Sequence, residues 1–94
     1  MVDLGLAAKV RPCLVISIPA LDQDRALAAL VPHTTSVRGT RFEIGIKVNF
    51  LHPGAFDVQG LVAVPHAKLV RKLGSLSPEQ ISSVESTLRK WLGL

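Results

Sequence analysis

Arg11-Pro12-Cys13-Leu14-Val15-Ile16-Ser17 is the stretch on which the reading of the fold turns. The four residues from Cys13 to Ile16 are apolar without a break, so they read as a strand buried on both faces. Pro12 has no N–H to give to a ladder and therefore belongs at a strand's first residues or on an edge. Arg11, one residue earlier, is held at a rigid rim. Taken alone, that is the place of an ordinary solvated strand-end cation. The stretch from Val31 to Ser36 gives it more weight.

After Ile18, the segment Pro19-Ala20-Leu21-Asp22-Gln23-Asp24 carries turn residues and reads as a surface loop. Asp22 and Asp24 fit a solvated loop better than an acid/base pair. Ala26 to Val31 follows, a run of alanine and leucine whose propensity favours helix. It is short and stops against Pro32, so a buried strand is predicted instead. Directly after it, Val31-Pro32-His33-Thr34-Thr35-Ser36 crowds hydroxyls and an imidazole at a strand end. By itself this predicts a turn whose hydroxyls cap nearby backbone amides.

Phe42, Ile44, Ile46 and Val48 alternate with polar or small residues, the pattern of a half-buried antiparallel strand. Phe50 to Gln59, with Pro53 and Gly54, reads as a longer loop whose Phe50, His52, Phe56 and Asp57 form either a packed surface loop or a binding rim. Short strands are predicted over Leu61 to Val64 and Leu69 to Leu73. Met1 to Leu6 has the weak alternation of a strand end, with Gly5, Ala7 and Ala8 turning the chain into Lys9.

The C-terminal helix has the strongest local signals. Ser77 supplies an N-cap, Pro78 the first helical position and Gln80 the third, which together make a capping box. Ile81, Val84, Leu88, Trp91 and Leu92 then fall on one stripe, and Gly93 ends the helix. Trp91 reads as a core anchor because it lies on that stripe.

Composition narrows the classes further. A chain of 94 residues with 48% hydrophobic and 19% charged residues is read as one globular domain, residues 1 to 94. No apolar run reaches the roughly 18 residues that span a bilayer, and no signal-peptide pattern opens the chain, so the cytoplasm is the expected compartment. Cys13 is the only cysteine and is read as a buried, inert thiol. The formal charge is +4, and between Arg25 and Ser77 seven Lys or Arg residues face two acids, Glu43 and Asp57. A cationic middle favours a polyanionic partner. There is no glycine-rich phosphate loop, no Cys-x-x-Cys and no hydrolase elbow, while His33, His52 and His66 are isolated in sequence, so no metal site or cofactor is expected.

The stretch from Arg11 to Ser17, the loop and short apolar strand after it, and Val31-Pro32-His33-Thr34-Thr35-Ser36 together resemble the PemK/MazF family of toxin–antitoxin ribonucleases, here with a shortened N-terminus. The ending, Leu69-Val70-Arg71-Lys72-Leu73-Gly74-Ser75-Leu76-Ser77-Pro78-Glu79-Gln80-Ile81, resembles that family's last strand, its turn and the start of its terminal helix. The resemblance implies a small SH3-like antiparallel β-barrel with a C-terminal helix, mainly β with α, usually a symmetric homodimer. It also implies cutting of single-stranded RNA without a metal, and control by an antitoxin protein. Arg11 matches the family's active-site arginine and Thr34 its active-site threonine. His33 is a secondary acid/base candidate, with an exposed bystander as the alternative, and Thr35, Arg38, Arg41 and Lys47 are expected to line the RNA groove. Two stretches depart from the family's pattern: the short Gly5 to Lys9 connection before the arginine, and Gln59 to Pro65, where many members carry Asp-Gln and Arg-Thr pairs.

The chemistry suits these residues. Attack of a 2′-hydroxyl on its own phosphate builds charge on the non-bridging oxygens, which a fixed guanidinium fork stabilises bidentately. A guanidinium is a poor base, so electrostatic stabilisation is its natural part. Two other readings remain open on the sequence: a catalytically inactive barrel of the same architecture, and a small basic RNA-binding module that is not an enzyme.

Overall fold

The computed structural model describes residues 2–6 and 9–94, with side chains described from Arg11 onward. Among the described residues, seven strands and one α-helix follow in the order β1 (Val2–Leu6), β2 (Lys9–Val15), β3 (Leu27–Thr34), β4 (Glu43–Ile44), β5 (Ala55–Asp57), β6 (Val62–Pro65), β7 (Leu69–Lys72) and α1 (Pro78–Leu92). The turn expected at Ala7 and Ala8 lies outside the described residues. All pairings are antiparallel, and the sheet runs β4-β5-β3-β2-β1-β7, with β6 also laid on β3.

The strand reading of the opening stretch holds, because β2 is buried from both sides by different groups. Leu14 joins one cluster with Val31, Phe42, Phe56, Val58, Leu76 and Val84, while Cys13 joins a second with Ala28, Leu30 and Val64. Cys13 is fully buried, as expected of an inert thiol. The segment predicted as a strand over Ala26 to Val31 is one from Leu27 onward despite its helical propensity, and it runs on to Thr34. Burial against two clusters outweighs propensities worth a few tenths of a kcal/mol per residue.

β3 is also the strand that changes neighbours. Along one edge, Leu27 to Leu30 pair with β6 and His33 to Thr34 pair with β5. Pro32 falls in the gap between them, where a missing N–H is least costly. Gly60 packs over that proline, since a Cβ there would come within 2.7 Å of Pro32 Cγ.

Three expectations are corrected. Among the described residues the sheet does not close into a barrel: β4 pairs only with β5, and β7 only with β1, so both ends of the ladder are open. The strand predicted over Phe42 to Val48 shrinks to Glu43–Ile44. Continuing its register past Ile44↔Phe56 would set Lys47 opposite Pro53, which cannot donate. The alternation nonetheless places Phe42, Ile44, Ile46 and Val48 against the first cluster. Finally, Phe50 to Gln59 is not simply a loop, because it contains β5 and enters the 3-10 turn Val58–Gly60, and both Phe56 and Val58 are fully buried.

The helix covers Pro78–Leu92 as predicted. Ser77 Oγ accepts from the Gln80 amide at 3.2 Å and Gln80 Oε1 accepts from the Ser77 amide at 2.8 Å, while Gly93 closes the helix with φ 73°. Val84 is fully buried, and Ile81 and Leu88 pack beside it. Trp91 is less of a core anchor than its stripe suggested, being 43% exposed. It lies against Phe42, ring centroids 5.1 Å apart, and the Arg41 guanidinium covers the Phe42 ring at 4.6 Å.

Candidate functional site

The β2–β3 register determines what meets at the end of the sheet. Cys13 pairs with Pro32, Leu14 with Val31 and Val15 with Leu30. Carried two residues further, the same register sets Arg11 opposite Thr34. An open cleft of about 330 Å³ lies there, lined by Arg11, Pro12, His33, Thr34, Thr35 and Ser36 of the two strand ends and by His52 from the segment before β5. Arg11 is exposed at the rim. Arg11, His33, Thr34 and Thr35 thus line one cleft.

The backbone around Thr34 is organised by its own hydroxyl, which accepts from the Ser36 amide at 3.0 Å. The hydroxyl-capped turn expected here therefore exists, but the strand before it ends at Thr34, three residues beyond the predicted end at Val31.

His33 departs from expectation. It is not an exposed bystander: it is 6% exposed, and its Nε2 is buried without a hydrogen-bond partner among the described residues. Its ring and that of Phe56 meet in a T-shaped contact. Burial first, and the nearby His52 second, hold its pKa below the ordinary histidine value, so near neutral pH it is an uncharged imidazole.

Two further clefts join this one. A cleft of about 350 Å³ shares Thr34 and Ser36 with the first and adds Arg38, Thr40, Glu43, Asp57 and Gln59. Another, of about 220 Å³, shares His52 and adds Lys47, Asn49 and Pro53 among its lining. Arg38 and Lys47 therefore line two clefts that each adjoin the Arg11 cleft, the one through Thr34 and Ser36 and the other through His52. Arg41 lines none of the three clefts; its guanidinium sits on Phe42 instead. Ser36, Glu43 and Gln59 enter the groove without having been singled out. For Glu43 the available signal was its place as one of two acids within a cationic stretch. Among the described residues no group of three His, Cys, Asp or Glu side chains is placed to hold a metal ion, and no helix is long and apolar enough to cross a membrane.

Fold and groove define a class: a small, mainly β protein whose sheet end presents one guanidinium, several hydroxyls and an imidazole to an open polar channel. The chain belongs to the PemK-like, MazF-like toxins of type II toxin–antitoxin systems, whose family model matches residues 2–92. Among solved structures it is similar to the Mycobacterium tuberculosis toxin MazF-mt6, with 23% identity and a TM-score of 0.83 over 99% of this chain and 96% of that one. It is similar also to an endoribonuclease of a mycobacterial species in complex with its cognate antitoxin, with 20% identity and a TM-score of 0.85 over 99% and 90% of the two chains. A third likeness is to the MazE-MazF complex of Deinococcus radiodurans, with 21% identity and a TM-score of 0.84 over 99% and 90%. At these identities the likeness shows a shared fold. A search of curated protein sequences finds no match.

Proposed function

We propose that this toxin is an endoribonuclease that cleaves single-stranded mRNA in the cytoplasm without a metal ion, with Arg11 and Thr34 at the reacting phosphate. The observation that carries this reading is that both residues line one open cleft, and that this cleft shares lining residues with two others, which hold Arg38 and Lys47. A channel of that kind suits an extended, unpaired strand whose phosphates track the cations.

In the proposed reaction the 2′-oxygen attacks the adjacent phosphorus, the bond from phosphorus to the 5′-oxygen breaks, and a 2′,3′-cyclic phosphate and a 5′-hydroxyl end result. The 2′-proton leaves to a base, and the departing 5′-oxygen takes up a proton. The Arg11 fork stabilises the two non-bridging oxygens as their charge grows, and it is worth more there than on the ground-state diester. Thr34 orients the phosphate or the attacking hydroxyl. With Nε2 of His33 enclosed, any proton it handles passes through Nδ1. Thr35, Arg38 and Lys47 hold the flanking nucleotides. Arg41 drops out of this set because its guanidinium is stacked on an aromatic ring.

Two solved relatives are complexes with antitoxins. By analogy, an acidic or disordered antitoxin segment lies along the same groove here and competes with RNA. The toxin is proposed to act as a homodimer, because a domain this small leaves apolar surface that a two-fold interface covers. Light scattering on dilute protein tests that point, and a monomer mass rejects it.

The deciding experiment is incubation of the purified protein with a long RNA in the presence of chelator, followed by mapping of the ends. Discrete cuts leaving 5′-hydroxyl termini support the reading. A protein that binds the RNA and leaves it whole supports an inactive, RNA-binding protein of the same fold instead.

A further inference from the structure

Glu43 stands where simple electrostatics would not put it. It is one of two acids between Arg25 and Ser77, and it lines the same cleft as Arg38. A carboxylate beside a cationic channel repels phosphate. What it holds explains the placement. Its Oε1 accepts from the Thr40 amide at 2.7 Å and from the Arg38 amide at 3.2 Å, and its Oε2 accepts from the Arg38 amide at 3.1 Å. Between those two residues Gly39 has φ 75°, a left-handed turn with open space where a Cβ would stand. Such a turn points neighbouring amides into one concavity, an anion-binding nest. Glu43 itself is fixed, because it is a β4 residue paired with Asp57 of β5. The loop from Arg38 to Thr40 is thereby tied to the sheet through one side chain.

We propose that Glu43 is a positioning residue: its carboxylate ties the Arg38–Thr40 loop to β4 and so presents Arg38 to the RNA strand in the second cleft. This rests on the reading of the groove as an RNA site. The amides of Thr40 and then Arg38 hold the Glu43 carboxyl below its ordinary pKa, so the tie is made at neutral pH.

Charge and geometry make opposite predictions for Glu43→Gln. Removal of a repelling anion alone would tighten RNA binding. Loss of the tie weakens it, because the amide side chain offers a single neutral acceptor in place of two charged ones. The measurement is anisotropy of a fluorescein-labelled, mixed-sequence, 2′-O-methyl RNA 12-mer, which cannot be cleaved. We expect roughly fivefold weaker binding, the order of one lost phosphate contact, and the same loss for Arg38→Ala. The double variant should bind no worse than Arg38→Ala alone, since Glu43 acts through Arg38. On cleavable RNA, KM should rise while kcat stays within about twofold, because the Arg11 cleft is separate from the tie. Amide exchange should show lost protection at Arg38 and Thr40 with the core amides of β3 unchanged. Gly39→Ala is the independent variant, since it strains the left-handed turn and leaves the charge in place. It should weaken binding in the same Arg38-dependent manner.

Tighter or unchanged binding in Glu43→Gln, or fully additive losses in the double variant, overturns the proposal while leaving the RNA site standing. A wild-type protein that binds no RNA overturns both.

Discussion

The ring of His33 on β3 meets that of Phe56 on β5 edge to face, centroids 5.2 Å apart and planes at 74°, at the point where the two strands pair. An imidazole in that setting has a marked preference for its neutral form. A proton on it would place charge in a buried site, with Nε2 unpartnered among the described residues and with His52 nearby.

Stability should therefore depend on pH through His33. Its folded pKa lies below the ordinary value, so between that folded pKa and about 6.5 the unfolded chain binds more protons than the folded one. In that window stability rises with pH. Acidification from neutral through about pH 6.5 should lower the thermal midpoint, and the loss should continue until the folded pKa is passed. His33→Gln should lack this component, so its midpoint should change less over the same range. Parallel curves for the two proteins would show that His33 does not titrate in this way.

Gly54 lets the His52 segment approach the Thr34 end of β3. A Cβ at Gly54 would stand 2.8 Å from His33 Cε1 and closer still to the Thr34 carbonyl oxygen. One of these groups must move, and the nearest is backbone. Gly54→Ala should cost about 1–3 kcal/mol in urea denaturation, the usual range for overpacking. It should also slow RNA cleavage, because Thr34 shifts with its carbonyl.

RNA affinity should fall linearly with the logarithm of salt concentration, with a slope of about 0.7 for each phosphate neutralised on a single strand. Arg38→Ala and Lys47→Ala should each reduce that slope by roughly one contact. Arg41→Ala should leave it unchanged and instead lower stability by about 0.5–1 kcal/mol, since its guanidinium sits on the Phe42 ring. A slope that drops with Arg41 and not with Arg38 would reverse their assignments.

Where signals were local, the sequence was legible. Ser77, Pro78, Gln80 and Gly93 each act within one turn of backbone, and α1 has the predicted bounds. The strand at Ala26 to Val31 was legible from Pro32 and its short length. The open ladder was not, because whether β4 and β7 meet depends on pairings between segments far apart in sequence. For the same reason the alternation from Phe42 to Val48 revealed its buried face and not the short extent of its pairing. At the site, Arg11, Thr34 and Thr35 were singled out through the family resemblance, since position alone predicted only a solvated strand-end cation and a hydroxyl-capped turn. The burial of His33 required knowledge of Phe56 and Gly54, and the part of Glu43 required the path of its loop.

The sharpest test of the catalytic assignment is substitution of Arg11, because binding and catalysis ask different things of it. As one phosphate contact among several, Arg11 would be worth about 1 kcal/mol of affinity, and Arg11→Lys would recover most of that because the charge returns. A transition-state role needs the planar fork as well as the charge, and lysine supplies a point charge on a flexible stem. Both Arg11→Ala and Arg11→Lys should then slow cleavage by roughly 100-fold or more, the scale set by losing one preorganised oxyanion donor, while RNA affinity changes little. Thr34→Ala should lower the rate in the same direction. Single-turnover cleavage measured beside anisotropy on the uncleavable 12-mer separates the two quantities. An Arg11→Ala protein that cleaves as fast as wild type would remove Arg11 from the reacting centre and leave it a groove cation like Arg38.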